Sequence, residues 1–383
     1  MRERPGLFRQ EVYVMAAITW KCPNCGGELV FEPSIQKYKC PFCESVLTQE
    51  ELEEMNPAHA SEQEVPEEEA QANYAADQGG TEENTAQTAP GGSGRAVVYS
   101  CPSCGAEVVT DETTAATFCY YCHNPVVLEG RISGDYLPDK IIPFQIDRKA
   151  AEEKFREYVR KKKFVPRAFY DDSQVEKLSG VYYPYWVYDA QMDADVEAEA
   201  KKIRIWRAGD TEYTETSTFR IFREGQTAIG NITENALSKS DRALVENVQP
   251  FDLSDMKPFT MGYLSGFLAE KRDMEKEQFQ EKLRGNIREY SETMIRDTMS
   301  GYTGVRMFRN DYRMKNEHWQ YVLLPVWVLT YRAGNGKMYY YALNGQTGNV
   351  CGILPVDYSK LALWCLGLGA AAAAAAATGF YFI

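Results

Sequence analysis

The chain has 383 residues, 44% of them apolar, and a formal charge of −13. That length supports more than one domain with its own core, and the charge excludes a protein covered by a basic, polyanion-seeking surface. The acidity is local: 12 Asp and Glu and no Lys or Arg lie between Glu50 and Gly94, which leaves −1 for all other residues.

The first twenty residues, MRERPGLFRQEVYVMAAITW, carry basic residues but no uninterrupted apolar run with a small-residue cleavage site, so no secretory signal is expected. Met15 is the expected start, with the preceding residues an upstream extension. The ten cysteines are then expected to be cytosolic, reduced and available as thiolates.

Residues 16–48 contain Cys22, Cys25, Cys40 and Cys43, two Cys-x-x-Cys pairs with fourteen residues between them, and residues 97–130 repeat that spacing at Cys101, Cys104, Cys119 and Cys122. A tetrahedral zinc ion takes four thiolates about 2.3 Å away, and a Cys-x-x-Cys turn delivers two of them. Gly26 and Gly105 follow the second thiol of each leading pair and tolerate the positive φ of such a knuckle. The intervening stretches, GGELVFEPSIQKYK and GAEVVTDETTAATF, read as strand, turn, strand. Two zinc ribbons holding two Zn2+ ions are therefore expected, each ion serving as a structural staple for a module with almost no core. A redox Cys-x-x-Cys comes singly, and disulfides require secretion, so both competing readings are weaker. His123 is read as a surface residue, because four cysteines already fill the coordination sphere of its ribbon.

Residues 49–96 form the acidic stretch. It nearly lacks large apolar side chains and is expected to be a disordered, self-repelling linker, with His59 exposed inside it. As a tether it gives the first ribbon an expected reach of about 35 to 40 Å. The second ribbon carries Glu107, Asp111, Glu112 and Glu129 with no Lys or Arg, and the first balances Lys21, Lys37 and Lys39 against Glu28, Glu32 and Glu44. Phosphate contacts need cations, so protein partners are favoured over nucleic acid.

Residues 131–357 read as an α+β domain. Asp147 is the expected N-cap of a helix with an apolar stripe at Ala150, Phe155 and Val159, ending in the cluster Arg160 to Lys163. That cluster has two readings, favourable charge at a helix C-terminus and contact with anionic lipid headgroups. Asp193, Asp195, Glu197 and Glu199 alternate with small or apolar residues and are expected to line the solvent face of a strand, not a catalytic site. YYPYWVYDA around Trp186 is echoed by LLPVWVLTY around Trp327, read as two strands entering one core. Between them a helix is expected with Phe279, Leu283, Ile287, Tyr290 and Met294 on its apolar face. LNGQTGN is expected to turn between strands. His318 reads as structural or exposed, and Cys351 and Cys365 as packing or lipid-facing residues.

Residues 361–383, LALWCLGLGAAAAAAAATGFYFI, contain no charged residue. As a helix they span about 35 Å against a hydrocarbon core of about 30 Å, and Trp364 with Phe380, Tyr381 and Phe382 are placed as interfacial anchors. The expectation is a single-pass, tail-anchored protein of the cytoplasmic membrane with its N-terminal bulk in the cytoplasm. The competing reading of the alanine-rich run is a buried or surface helix.

The motifs TAATFCYYCHNP, PDKIIPF, GVYYPYWVYDA, PFDLSDMKPFTMGYLSGFLAEKRDM and LLPVWVLTY followed by NGQTG occur in an order that resembles a family of bacterial membrane proteins containing a TFIIB-type zinc ribbon. The resemblance implies two N-terminal ribbons, a cytoplasmic α+β domain and C-terminal membrane attachment. Relatives encoded near PspA-like and SPFH-type proteins imply a non-enzymatic adaptor in an envelope-stress assembly, with cytosolic or membrane proteins as partners. The alternative is a membrane-tethered nucleic-acid-binding regulator. Some similar proteins carry a replication-helicase label, but the Gly-Lys of this chain, Gly336-Lys337, is followed by Met338 and cannot close a phosphate-binding loop. No nucleophile-base pair or histidine cluster supports an enzyme.

Overall fold

The computed structural model describes residues 17–18, 20–55, 97–101, 104, 107–111, 113–119, 122, 124–128, 132, 134–240, 246–333 and 336–381. The expectations placed on Met15, His59, Gly105, His123 and Phe382, and on the acidic stretch beyond its first helix, lie outside these residues. In chain order the elements are β1 (Ala17–Ile18), β2 (Val30–Glu32), β3 (Lys37–Lys39), β4 (Val46–Leu47), α1 (Gln49–Met55), β5 (Val97–Ser100), β6 (Glu107–Thr110), β7 (Thr114–Phe118), β8 (Pro125–Leu128) and β9 (Lys140–Ile141). There follow α2 (Arg148–Arg160), α3 (Asp172–Val175), β10 (Ser179–Ala208), β11 (Thr211–Asn235), β12 (Lys257–Pro258), β13 (Leu268–Glu270), α4 (Glu277–Asp297), β14 (Gly304–Arg332), β15 (Met338–Asn344), β16 (Val350–Ile353) and α5 (Tyr358–Tyr381). The fold is α+β, as expected, and divides into two units.

The first unit comprises Met1–Pro184, Lys239–Lys271 and Leu323–Ile383. Its main sheet runs β1-β8-β7-β13-β10-β14-β15-β16, with β9 beside β14 and β12 beside β9. The pairing of β10 with β13 is parallel, whereas β7, β8, β15 and β16 join antiparallel neighbours. The core is aromatic. Phe144 stacks on Phe267 at 4.2 Å and meets Tyr182 and Trp327 edge-on at 5.0 and 5.2 Å, an arrangement that suits the ring quadrupoles. Trp327 donates its indole N–H to the Ile146 carbonyl at 2.9 Å. The LNGQTGN turn joins β15 to β16, and buried Asn344 fixes it by accepting from the backbone N–H groups of Gln346 and Thr347.

Helix α2 begins where the sequence places it, because the Asp147 carboxylate accepts from the Ala150 N–H at 2.7 Å. Its buried face is Ala151, Phe155 and Val159, so the stripe starts one residue later than expected: spacing by four keeps these three in line, and Ala150 falls beside it. α1 corrects the boundary of the acidic stretch. Gln49–Met55 is helical, because Leu52 is buried, Thr48 caps the turn toward Glu51, and the Tyr38 hydroxyl bonds Gln49.

The second unit comprises Tyr185–Ser238 and Arg272–Val322. β10 and β11 form a long hairpin in continuous register from Tyr185↔Asn235 to Ala208↔Thr211, with one irregularity between Tyr188 and Ala190. Met192, Ala194, Val196, Ala198 and Ala200 are buried and the carboxylates between them are not, so the period-two reading holds. Asp193 pairs with Lys315, Asp195 with Arg309 and Glu197 with Arg220. Trp186 lies in this unit, 5.7 Å from Tyr321, while Trp327 lies in the first; the two echoing tryptophans serve different units where one core was expected.

Helix α4 buries Phe279, Leu283, Ile287 and Ser291, but Tyr290 and Met294 are exposed against expectation. Further along, Ile295 packs against the cluster of Val196, Ala198, Ile221 and Met299. The contact line therefore turns around the helix as it follows the right-handed twist of the strands it covers, and a stripe drawn at constant phase misses this.

Candidate metal centres

Each centre is built from two backbone knuckles. In the first ribbon the chain turns sharply at Cys22, whose N–H bonds the Gly27 carbonyl at 2.6 Å while Gly26 N–H returns to the Cys22 carbonyl at 2.8 Å. Gly26 has φ +71°, the left-handed conformation anticipated for it. The second knuckle repeats this without glycine: Cys40 N–H bonds the Ser45 carbonyl, Glu44 N–H bonds the Cys40 carbonyl, both at 2.9 Å, and Glu44 takes φ +59°. The strand-turn-strand between the pairs is β2 and β3, to which β4 adds. A bond of 2.8 Å from the Asn24 amide to the Ser45 hydroxyl ties the two knuckles together.

This geometry gathers the thiols. The Sγ atoms of Cys22 and Cys43 are 3.5 Å apart, as are those of Cys25 and Cys40; the corresponding pairs Cys101–Cys122 and Cys104–Cys119 are each 3.7 Å apart. Within each group all four sulfurs lie within 4.8 Å of one another. A tetrahedron with metal–sulfur bonds of about 2.3 Å has sulfur–sulfur edges of about 3.8 Å, so both groups fit one four-coordinate ion. All eight predicted ligands are thus brought together. Cys22, Cys40, Cys101 and Cys119 are buried and Cys25, Cys43 and Cys104 are exposed, so each group of four sulfurs lies at the edge of its ribbon.

The thiols are unlike one another. Cys43 is pulled down to about 6, first by the Ser45 hydroxyl and then by the Ser45 backbone, and offers a thiolate readily. Cys122 is pushed up to about 12, first by burial. Neither remaining cysteine joins a metal-ligating group among the described residues: Cys351 is half-buried with its thiol raised to about 11 by burial, and Cys365 is exposed on α5. His318 is exposed on β14.

The second ribbon differs from its expected hairpin. β6 pairs with β5 in a sheet of two, while β7 pairs with β8 and with β13 of the main sheet, so the strands flanking the Asp111 turn go to different partners. Cys119 N–H still bonds the Asn124 carbonyl at 2.9 Å, the equivalent of the Cys40 knuckle. Lys239 pairs with Asp111 at 3.4 Å and with Glu270 at 3.0 Å, offsetting part of the acidity read from the ribbon alone.

Sequence reasoning missed the seat of the first ribbon. It was expected to range on a tether, but it packs against the segment from Phe259 to Phe267. Phe31 N–H bonds the Ser265 carbonyl at 3.0 Å, the Ser265 hydroxyl donates to the Leu29 carbonyl at 2.5 Å, and Phe31 meets Tyr263 edge-on at 5.2 Å. The approach is close enough to require glycine twice. A Cβ on Gly262 would stand 2.5 Å from the Tyr38 hydroxyl oxygen, and one on Gly266, which has φ +92°, would overlap Val30. The only sequence signal was the glycine pair inside MGYLSGF.

Fold and sites define a class: an α+β protein with two four-cysteine ribbons and a C-terminal apolar helix. The chain is 30% identical over 351 residues to the uncharacterized protein YdjG of Bacillus subtilis (strain 168), across 92% of this chain and 94% of that one. It belongs to the same family as that protein. No family profile matches the chain, and no solved structure matches it.

Proposed function

We propose that the chain is a non-enzymatic membrane adaptor of the TFIIB-type zinc-ribbon kind. In this reading α5 crosses the cytoplasmic membrane once, the bulk of the chain stands in the cytoplasm, and two zinc-loaded ribbons present a surface that recruits proteins. The observation that carries it is α5 itself: Tyr358–Ala375 is long and apolar enough to cross a bilayer, and none of it is buried by the rest of the chain. Leu363 and Leu366 are 74% and 72% exposed, a cost that a lipid environment removes. Zinc is the ion that four thiolates at these separations suit best, and a site closed by four protein ligands fits a structural role better than catalysis.

The docked first ribbon refines the adaptor reading. Its partner surface is a fixed face beside the Phe259–Phe267 segment, not a module cast out on a tether. The partners are proteins, of the PspA-like or SPFH type implied by the resemblance. The test is crosslinking and capture from membranes with the full chain and with Cys101→Ser and Cys119→Ser variants. A defined protein set lost in the variants supports the reading. Recovery of nucleic acid that falls steeply with salt would replace it with a tethered nucleic-acid binder.

A further inference from the structure

The end of α2, the loop after it and the start of α5 line an open cavity of about 370 Å³ formed by Arg156, Val159, Arg160, Lys162, Lys163, Val165, Tyr170 and Lys360. Five of these eight residues are cationic, and they converge from three chain segments. The arrangement is tied to the base of α5. Asp357 N–H bonds the Phe164 carbonyl at 2.7 Å, Lys360 donates to the Val165 carbonyl at 2.8 Å, and Trp364 takes Phe164 edge-on at 5.9 Å and the Lys163 ammonium 4.9 Å over its ring.

The carboxylates nearby are already engaged. Asp172 is held by Arg156 at 2.7 Å, Glu157 by Lys161 at 2.8 Å, and Asp357 lies 3.6 Å from Lys360 while capping α5. Among the described residues no ion pair takes up Arg160, Lys162 or Lys163. Charge at a helix C-terminus accounts for Arg160 in the last turn; Lys162 lies 5.2 Å over the Tyr158 ring and Lys163 over Trp364, contacts with neutral rings that leave both ammonium charges able to meet an anion. Val159, Val165 and Tyr170 give the cavity an apolar wall beside its cations, which matches a group that is anionic at one end and apolar at the other.

We propose that this cavity binds the phosphate of an anionic phospholipid headgroup at the membrane surface, where Trp364 marks the interfacial level. The proposal rests on the membrane reading of α5. Juxtamembrane cations gain affinity from an anionic leaflet, and three of them acting together give about a hundredfold preference over a neutral surface at low salt.

The experiment uses the full chain reconstituted into phosphatidylcholine vesicles with and without phosphatidylglycerol. Insertion is read by resistance to alkaline extraction, and lipid selectivity by mass spectrometry of lipid retained after detergent transfer. Phosphatidylglycerol should be retained over phosphatidylcholine, and Arg160→Ser, Lys162→Ser and Lys163→Ser combined should lower that retention about a hundredfold while leaving insertion and metal content unchanged. The charge-keeping variant Arg160→Lys, Lys162→Arg, Lys163→Arg should retain it. Insertion without lipid preference overturns this proposal and leaves the membrane reading standing; failure to insert removes both. Displacement by inorganic phosphate at matched concentration would assign the cavity to a free phosphate instead.

Discussion

The two ribbons share one cysteine spacing, yet they are built into the first unit in different ways. The first completes its own sheet of three strands and is then held by Ser265, Tyr263 and two glycines of a distant segment. The second keeps a separate pair of strands and contributes β7 and β8 to the main sheet, where β1, from the N-terminal end of the first ribbon, also pairs. Spacing dictates where the sulfurs meet, because a knuckle is local. It does not dictate what the flanking strands do next, because that depends on which edge is available to complete their hydrogen bonds.

The largest expected effect comes from removing metal selectively. With both four-cysteine groups loaded, Cys119→Ser should lower bound metal from two ions per chain to one and also loosen β7 and β8, so melting of the whole first unit should shift. Cys43→Ser should remove one ion with a loss confined to the first ribbon. Metal analysis together with hydrogen exchange separates the two, and equal spread of deprotection in both variants would contradict the contrast.

Next in size is the seat. Gly266→Val forces a branched side chain into a left-handed residue against Val30 and should cost about 2 to 4 kcal/mol, with metal content unchanged. The readout is protease cutting around the first ribbon while the second stays protected. A smaller loss, about 1 kcal/mol, is expected for Ser265→Ala, which removes the hydroxyl bond to the Leu29 carbonyl and leaves that buried acceptor one partner short. Denaturant unfolding followed by a probe on the first ribbon should detect it.

The smallest effect belongs to the second unit, which among the described residues has no four-cysteine group and so reports stability independent of metal. Arg284, followed by the Tyr188 hydroxyl, holds the Glu317 carboxyl below its usual range against an opposing effect of burial. A carboxyl depressed in the folded state stabilises above its unfolded pKa, near about 4.3, and loses that contribution as pH falls through the folded value. Glu317→Gln should therefore flatten the acid side of this unit's stability by under about 1 kcal/mol, since the pair is partly solvated. Chelator-treated protein should show the same flattening.

What could be read directly from the sequence was local. Eight thiols at one spacing, the Asp147 cap and the Asp193 to Glu199 alternation each involve neighbours within a few turns or one strand, where backbone geometry leaves few choices. The contact of Ser265 with Leu29 spans 236 residues, and its determinants, two glycines and a serine, are residues that any turn also uses. The split of β6 and β7 was hidden for a related reason: both strands alternate suitably for a hairpin, and only the edge offered by β13 decides that β7 goes elsewhere.

That separation along the chain has a consequence for biosynthesis. At roughly 5 to 20 residues per second, a ribosome reaches Ser265 roughly 10 to 50 s after it has completed Leu29. The four thiols of the first ribbon are finished far earlier than the segment that seats them. Metal capture can thus precede docking, and a nascent chain made under metal starvation would present those sulfurs, unprotected, to oxidants and quality-control proteases throughout that interval.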